Sequence, residues 1–174
     1  RTELAVSAAV ENELLNQGER FSMIEEKNSE MKDYACLSLS RQLCFPLYAL
    51  AKEVTRLYRK PLEDLGLTYT QYVVMMALWE FGDMSEKQLG EKVFLDSGTL
   101  APLLKRLEKQ GLLTRKRQES DERQLLIVLT KEGEALKERA LKVPEAMRGC
   151  VQLSDEELVQ LKYLLDKALV NLEE

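Results

Sequence analysis

The chain has 174 residues, 45% of them hydrophobic and 32% charged, with a net charge of -5 and no histidine. That length carries one domain with a sizeable core, or a small domain with dimerisation arms. The lack of histidine removes Ser-His-Asp and Cys-His catalysis.

The three cysteines, Cys36, Cys44 and Cys150, are scattered without paired C-x-x-C spacing. They suit neither a zinc site nor a secreted disulfide framework, so no metal or cofactor is expected and a reducing cytoplasm is the expected compartment. No apolar run approaches the roughly 18 to 20 residues that span a bilayer, and no opening segment reads as a signal peptide. The negative charge argues against nucleic acid, but its distribution does not. Residues 1–30 hold three basic and seven acidic side chains, whereas Lys105 to Arg123 hold seven basic against four acidic. A near-neutral body with one concentrated basic segment is an electrostatic layout that suits DNA.

In chain order, residues 1–30 read as an N-terminal extension or tail, with Met31 as a natural start. Residues 31–67 form the first dimerisation segment, where Leu43, Leu47, Leu50, Val54 and Leu57 make one apolar helical stripe. Pro46 either sits in the first turn of that helix or kinks a helix that began at Ser40. Thr68 with Gln71 is a capping box opening "YTQYVVMMALWEF", which is too apolar for a surface helix and ends at Gly82.

Ser85 with Gln88 opens a short helix, a turn follows at Phe94-Leu95, and Asp96 or Ser97 caps "GTLAPLLKRLEKQ" up to Gly111. "LLTRKRQ" and "RQLLIVLT" then read as two strands around the polar tip "ESDE". A helix-turn-helix followed by a charged hairpin is a winged helix, spanning residues 68–130. Thr130 caps a further helix that Pro144 kinks or ends, and Ser154 with Glu157 opens the last one. These C-terminal helices, residues 131–174, complete the dimerisation region, because their apolar stripes need cover from a second chain. The expected fold is all-α-dominated α+β: a winged helix-turn-helix with a two-stranded wing and helical dimerisation arms at both ends.

Placing Leu100, Leu103, Leu104 and Leu107 inward turns Gly98, Pro102, Lys105, Arg106 and Lys109 outward, with Thr99 at the margin; Ser97, at the start of the helix, joins the candidate surface. Small residues at the N-terminal end allow close approach to base edges, and the later cations suit phosphates and guanine edges. On the wing, Arg115, Arg117, Asp121 and Arg123 complete the candidate surface. An arginine at the tip can enter a narrow minor groove, with the aspartate holding its guanidinium. The expected partner is a pseudo-palindromic double-stranded operator bound by a homodimer.

"LDSGTLAPLLKRLEKQGLLTRKRQESDERQLLIVLT" followed by "KEG" resembles the signature of the MarR family of dimeric winged-helix repressors. Within it, "QLCFPLYALAKEVTRLYRKPLEDLGLTYTQYVVMMALWE" resembles the OhrR-type branch, which senses organic hydroperoxides and related oxidants. The resemblance covers residues 37–172. It implies that Cys44 is the redox sensor, that Tyr58 and Tyr69 hydrogen-bond its thiolate, and that operator DNA is released on oxidation. Cys150 falls near the second cysteine of the two-cysteine subtype and is a possible resolving thiol; Cys36 matches no family position. The redox partner is an organic hydroperoxide or a low-molecular-weight thiol.

Thiolates are favoured at helix N-termini and by nearby donors, which suits a reactive Cys44; the alternative is a small core filler. Tyr48 lies one turn from Cys44 and could pack beside it in the same chain. Tyr58 lies fourteen residues on, about 21 Å along a continuous helix, so a hydrogen bond from it to Cys44 requires the partner's Tyr58. Two other readings stand beside this one: a MarR-type regulator released by a small phenolic or amphipathic ligand, and a thiol peroxidase using Cys44. No Pro-x-x-x-Thr-x-x-Cys pattern leads into Cys44 to support the peroxidase.

Overall fold

A computed structural model describes residues 34–118 and 121–171. The chain divides into two units, residues 1–48 and 49–174. The described part of the first holds two short 3-10 turns, Tyr34–Leu37 and Leu39–Arg41, and the first turn of helix α1 (Cys44–Leu57). The tail expected over residues 1–30 lies outside the described residues.

Helix α1 starts at Cys44, so Pro46 sits in its first turn, where a missing N–H breaks no helical bond because the first N–H groups of a helix have no acceptor within it. The helix ends at Leu57 because Pro61 cannot donate to the Leu57 carbonyl. After a break at Tyr58 the ladder resumes, with the Leu62 N–H donating to the Tyr58 carbonyl at 3.0 Å in α2 (Arg59–Glu63). Tyr58 therefore stands at a one-residue interruption of the ladder, with helical φ and ψ. Pro144 acts in the same way further on. It cannot donate to Ala140, where α6 (Lys131–Ala140) stops, and it falls inside the separate short helix α7 (Lys142–Ala146).

The winged lobe is built around α3 (Tyr69–Phe81). Both halves of its capping box form: the Gln71 N–H donates to Thr68 Oγ1, and the Thr68 N–H donates to Gln71 Oε1. Val74, Met75 and Leu78 are buried in this helix. Packed on it are α4 (Glu86–Val93) and α6, with α5 (Ser97–Lys109) against α4. Leu89, Leu100, Leu104, Leu107 and Leu113 fill the space between, each almost fully buried. Burial of such a side chain contributes about 1.5–3 kcal/mol, so this leucine cluster dominates the lobe's cohesion.

The sheet contains the expected two-stranded wing and one further strand. The wing strands β2 (Leu113–Gln118) and β3 (Asp121–Leu129) pair antiparallel, and a two-residue strand β1 (Met84–Ser85) joins β3 on its other side. Two residues are too short to show an alternating pattern. Ser85 also keeps its expected cap on α4, accepting from the Gln88 N–H. The last helix, α8 (Asp155–Val170), has its Ser154–Glu157 capping box but no buried residue.

Two glycines are needed for close approach. A Cβ on Gly90 would lie 2.7 Å from the Leu95 carbonyl oxygen, in the turn between α4 and α5. A Cβ on Gly133 would lie 2.0 Å from the Leu112 carbonyl oxygen, where α6 meets the end of α5. Gly133→Ala is expected to push α6 off that backbone and cost about 1–3 kcal/mol, as overpacking does. Urea denaturation would show it as a lowered midpoint; an unchanged midpoint would mean the approach is looser than the structure has it.

Candidate nucleic-acid interface and cysteine sites

Helix α5 separates its faces as its leucines require. Leu100, Leu104 and Leu107 are buried and Leu103 packs partly against them, while Ser97, Gly98, Thr99, Pro102, Lys105, Arg106 and Lys109 are exposed. Its N-cap is Asp96, not Ser97. Asp96 Oδ1 accepts from the Thr99 N–H at 2.9 Å, and Oδ2 accepts from the Thr99 hydroxyl at 3.0 Å. Those donors, the Thr99 backbone N–H first, hold the Asp96 carboxyl below its usual range. Pro102 interrupts the ladder by failing to donate to Gly98, on the exposed side of the helix.

The turn before α5 carries a strained residue. Phe94 adopts the left-handed region, with φ 55°, and is exposed. Beside it an open cleft of about 760 Å³ runs between α4, the start of α5 and Leu125 of β3, lined by Ser85, Lys87, Glu91, Leu95 and Leu100 among others.

On the wing, Arg117 is exposed, but Arg115 is half-buried and engaged. Its Nε and Nη2 donate to Glu108 Oε2 at 2.9 and 2.8 Å, and its backbone N–H donates to Glu108 Oε1 at 3.0 Å. Hydrogen bonds from that guanidinium, ahead of any other favourable cause, hold Glu108 below the usual carboxylate range. The pairing slips between Arg117 and Gln118, and the side chains of Asp121 and Arg123 lie outside the described residues.

Of the residues expected around the sensor, Cys44 and Tyr48 belong to the first unit. Cys44 is the first residue of α1 and is exposed; Tyr48 follows one turn later on the same helix. In the second unit, the Tyr58 and Tyr69 rings meet with centroids 4.8 Å apart. They belong to a larger aromatic group that sequence reasoning missed: Tyr72 lies 6.2 Å from Tyr58, and Trp79 lies 6.3 Å from Tyr72. The signal was available, since Tyr69, Tyr72 and Trp79 fall at spacings of three and seven on one helix. Burial, then the neighbouring Tyr69 and Tyr72 phenols and the Cys150 thiol, raises Tyr58 above its ordinary value. Cys150 is exposed just after Gly149, and Cys36 is exposed in the first 3-10 turn.

The Asp96 cap has a pH signature. A carboxyl depressed in the folded state adds stability that is complete above its unfolded value, and that is lost as pH falls through the folded one. Asp96→Ala is thus expected to be less stable than wild type at pH 7, with the gap in urea midpoint closing below about pH 4. A gap that stays constant into acid would assign the loss to something other than the charged cap.

Residues 56–140 match the family of the transcriptional regulator SarA/Rot. The chain is 49% identical over 129 residues to the organic hydroperoxide resistance transcriptional regulator of Bacillus subtilis, spanning 74% of this chain and 88% of that protein. It is 52% identical over 99 residues to the HTH-type transcriptional regulator SarZ of Staphylococcus aureus, covering 57% of this chain and 67% of that one. Among solved structures it is similar to AbfR of Staphylococcus epidermidis. The DNA-bound reduced form superposes with a TM-score of 0.64 at 39% identity, over 78% of this chain and 95% of AbfR. AbfR has also been solved overoxidised on DNA and in a disulfide form. These relatives are regulators, so the thiol peroxidase reading falls. The chain belongs to the MarR family of winged-helix transcriptional regulators, in its OhrR-type, organic-hydroperoxide branch.

Proposed function

We propose that this chain is a homodimeric cytoplasmic repressor that holds operator DNA while Cys44 is reduced and releases it when an organic hydroperoxide oxidises that thiol. The observation that carries the DNA half is the divided face of α5. Its leucines are buried on one side, while Ser97, Gly98, Thr99, Pro102, Lys105 and Arg106 stand exposed together on the other. That leaves a helix surface slim enough to enter a major groove and cationic enough to be held there. Arg117 on the wing, with Asp121 and Arg123 beyond it, would serve the flanking backbone and minor groove.

The redox half rests on the exposed thiol at the start of α1 and on the forms in which AbfR was solved. The chemistry balances simply. The Cys44 thiolate attacks the distal oxygen of the hydroperoxide, the O–O bond breaks, the alcohol leaves after taking a proton, and a sulfenic acid remains. A second thiol, Cys150 or a small cellular thiol, then condenses with it, losing water and forming a disulfide. Tyr58 and Tyr69, whose ring centroids lie 4.8 Å apart, would donate to the thiolate of a second chain.

A second chain is also what the apolar faces call for. In α1, Phe45, Leu47, Leu50 and Leu57 are exposed; in α8, Leu158, Val159, Tyr163, Leu164 and Leu169 are exposed. So many exposed large apolar residues on two helices are unusual on a monomer and usual in an obligate homodimer.

Cys44→Ser is expected to bind operator DNA like wild type and to keep it after hydroperoxide treatment, measured by fluorescence anisotropy. Release by the treated variant would remove Cys44 from the sensor role. On a non-reducing gel after mild oxidation, a covalent dimer that disappears in both Cys44→Ser and Cys150→Ser supports a disulfide between chains. A monomer carrying a small-thiol adduct at Cys44 would leave Cys150 structural.

A further inference from the structure

We propose that Glu108 and Arg115 form a brace that fixes the angle of the wing against the recognition helix, and that Arg115 acts as a positioning residue instead of a phosphate ligand. This rests on the DNA-binding reading above. Glu108 is one residue from the end of α5, and Arg115 is the third residue of β2; between them the chain reverses direction through Gly111, whose φ is 77°. The start of the strand is held by buried Leu113 and by the Thr130 N–H bond to the Leu112 carbonyl, so any tilt of the wing hinges there, two residues before Arg115. The brace spans the pivot with both oxygens of one carboxylate and three N–H donors of one arginine.

Its setting differs from that of the other ion pairs among the described residues. Arg115 and Glu108 side chains are 20% and 35% exposed, whereas both partners of each other pair are more than half exposed. Exposed pairs contribute little, but a partly buried arginine that closes Nε and Nη2 on one carboxylate oxygen and its backbone N–H on the other defines geometry as well as charge. Arg115 pairs across the ladder with Ile127, which is fully buried, so the tie lies on the same face of the wing base as that packed residue.

The lever is long. A wing of six residues extends about 20 Å, so a pivot of about 10° at its base moves the tip by about 3.5 Å. That is more than the length of a hydrogen bond, enough to take a tip side chain out of its groove. A neutralised Arg115 adds no net positive charge at the surface, so its value to binding is in angle.

Electrostatics and positioning predict opposite signs for Glu108→Gln. Removing a carboxylate beside DNA should tighten binding if charge alone matters; loss of the brace should weaken it. We expect Glu108→Gln and Arg115→Lys each to lower operator affinity about tenfold, as lost charge-assisted bonds do, with no further loss in the double variant. Affinity for an unrelated duplex should stay within about twofold, and the slope of log K against log salt should match wild type. A lost phosphate contact would instead reduce that slope by about 0.9.

The complementary swap, Glu108→Arg with Arg115→Glu, should recover part of the loss. Arg115→Lys keeps the charge and the strand residue, so it tests the fork even if the glutamate variant folds poorly; thermal melts by circular dichroism check both. Operator affinity of Glu108→Gln equal to or above wild type, or a reduced salt slope in Arg115→Lys, overturns the brace. Wild-type protein that binds no duplex at all would overturn the DNA-binding reading itself, which keeps the two failures distinct.

Discussion

The carbonyl oxygen of Leu112 comes so close to Gly133 that any side chain there would collide with it, and the rest of the winged lobe hangs on that approach. The same carbonyl accepts from the Thr130 N–H at 3.1 Å, and the Thr130 hydroxyl donates to the neighbouring Gly111 carbonyl at 2.6 Å. Thr130 Oγ1 also caps α6 by accepting from the Gly133 N–H, and the Gly133 carbonyl accepts from Trp79 Nε1 at 3.0 Å. Within a few residues the exit of the recognition helix, the return of the wing, the start of α6 and the central helix α3 are all joined. Everything proposed to read DNA lies between Asp96 and Leu129, a stretch that junction holds midway, at Gly111 and Leu112, and again just past its end at Thr130.

The charge on the whole chain is a poor guide to this surface. A net charge of -5 repels DNA at long range, but screening limits that effect to about 8–10 Å at physiological salt. Contact energy comes from cations within that distance, and the exposed Lys105, Arg106, Lys109 and Arg117 lie on one helix and the strand that follows it. Glu108 sits among them, yet its carboxylate is occupied by Arg115, so the pair is close to neutral where it stands.

Local signals survived translation from sequence to structure. The boxes at Thr68, Ser85 and Ser154 and the cap at Thr130 involve residues within three positions of one another, and all four form. The inward leucines of α5 follow from helical periodicity and are inward. What the sequence hid depends on distance along the chain or on partners across it. Strand β1 exists because β3 offers an edge more than forty residues later. The interruption at Tyr58 is caused by Pro61, three positions beyond it, which the apolar stripe ending at Leu57 does not reveal. Arg115 was counted with the DNA-facing cations because nothing in the string shows that Glu108, across a tight turn, faces its guanidinium. The α1 and α8 stripes were legible as unpartnered faces, and they remain exposed in the single chain.

The most direct test of the account uses the unmodified protein. Purified reduced protein is titrated onto fluorescent operator DNA, then treated with about one equivalent of an organic hydroperoxide per subunit, and afterwards with a thiol reductant. The account predicts tight binding, loss of binding in step with consumption of one reactive thiol per subunit, and recovery on reduction. Binding that is the same before and after complete oxidation of Cys44 would contradict it.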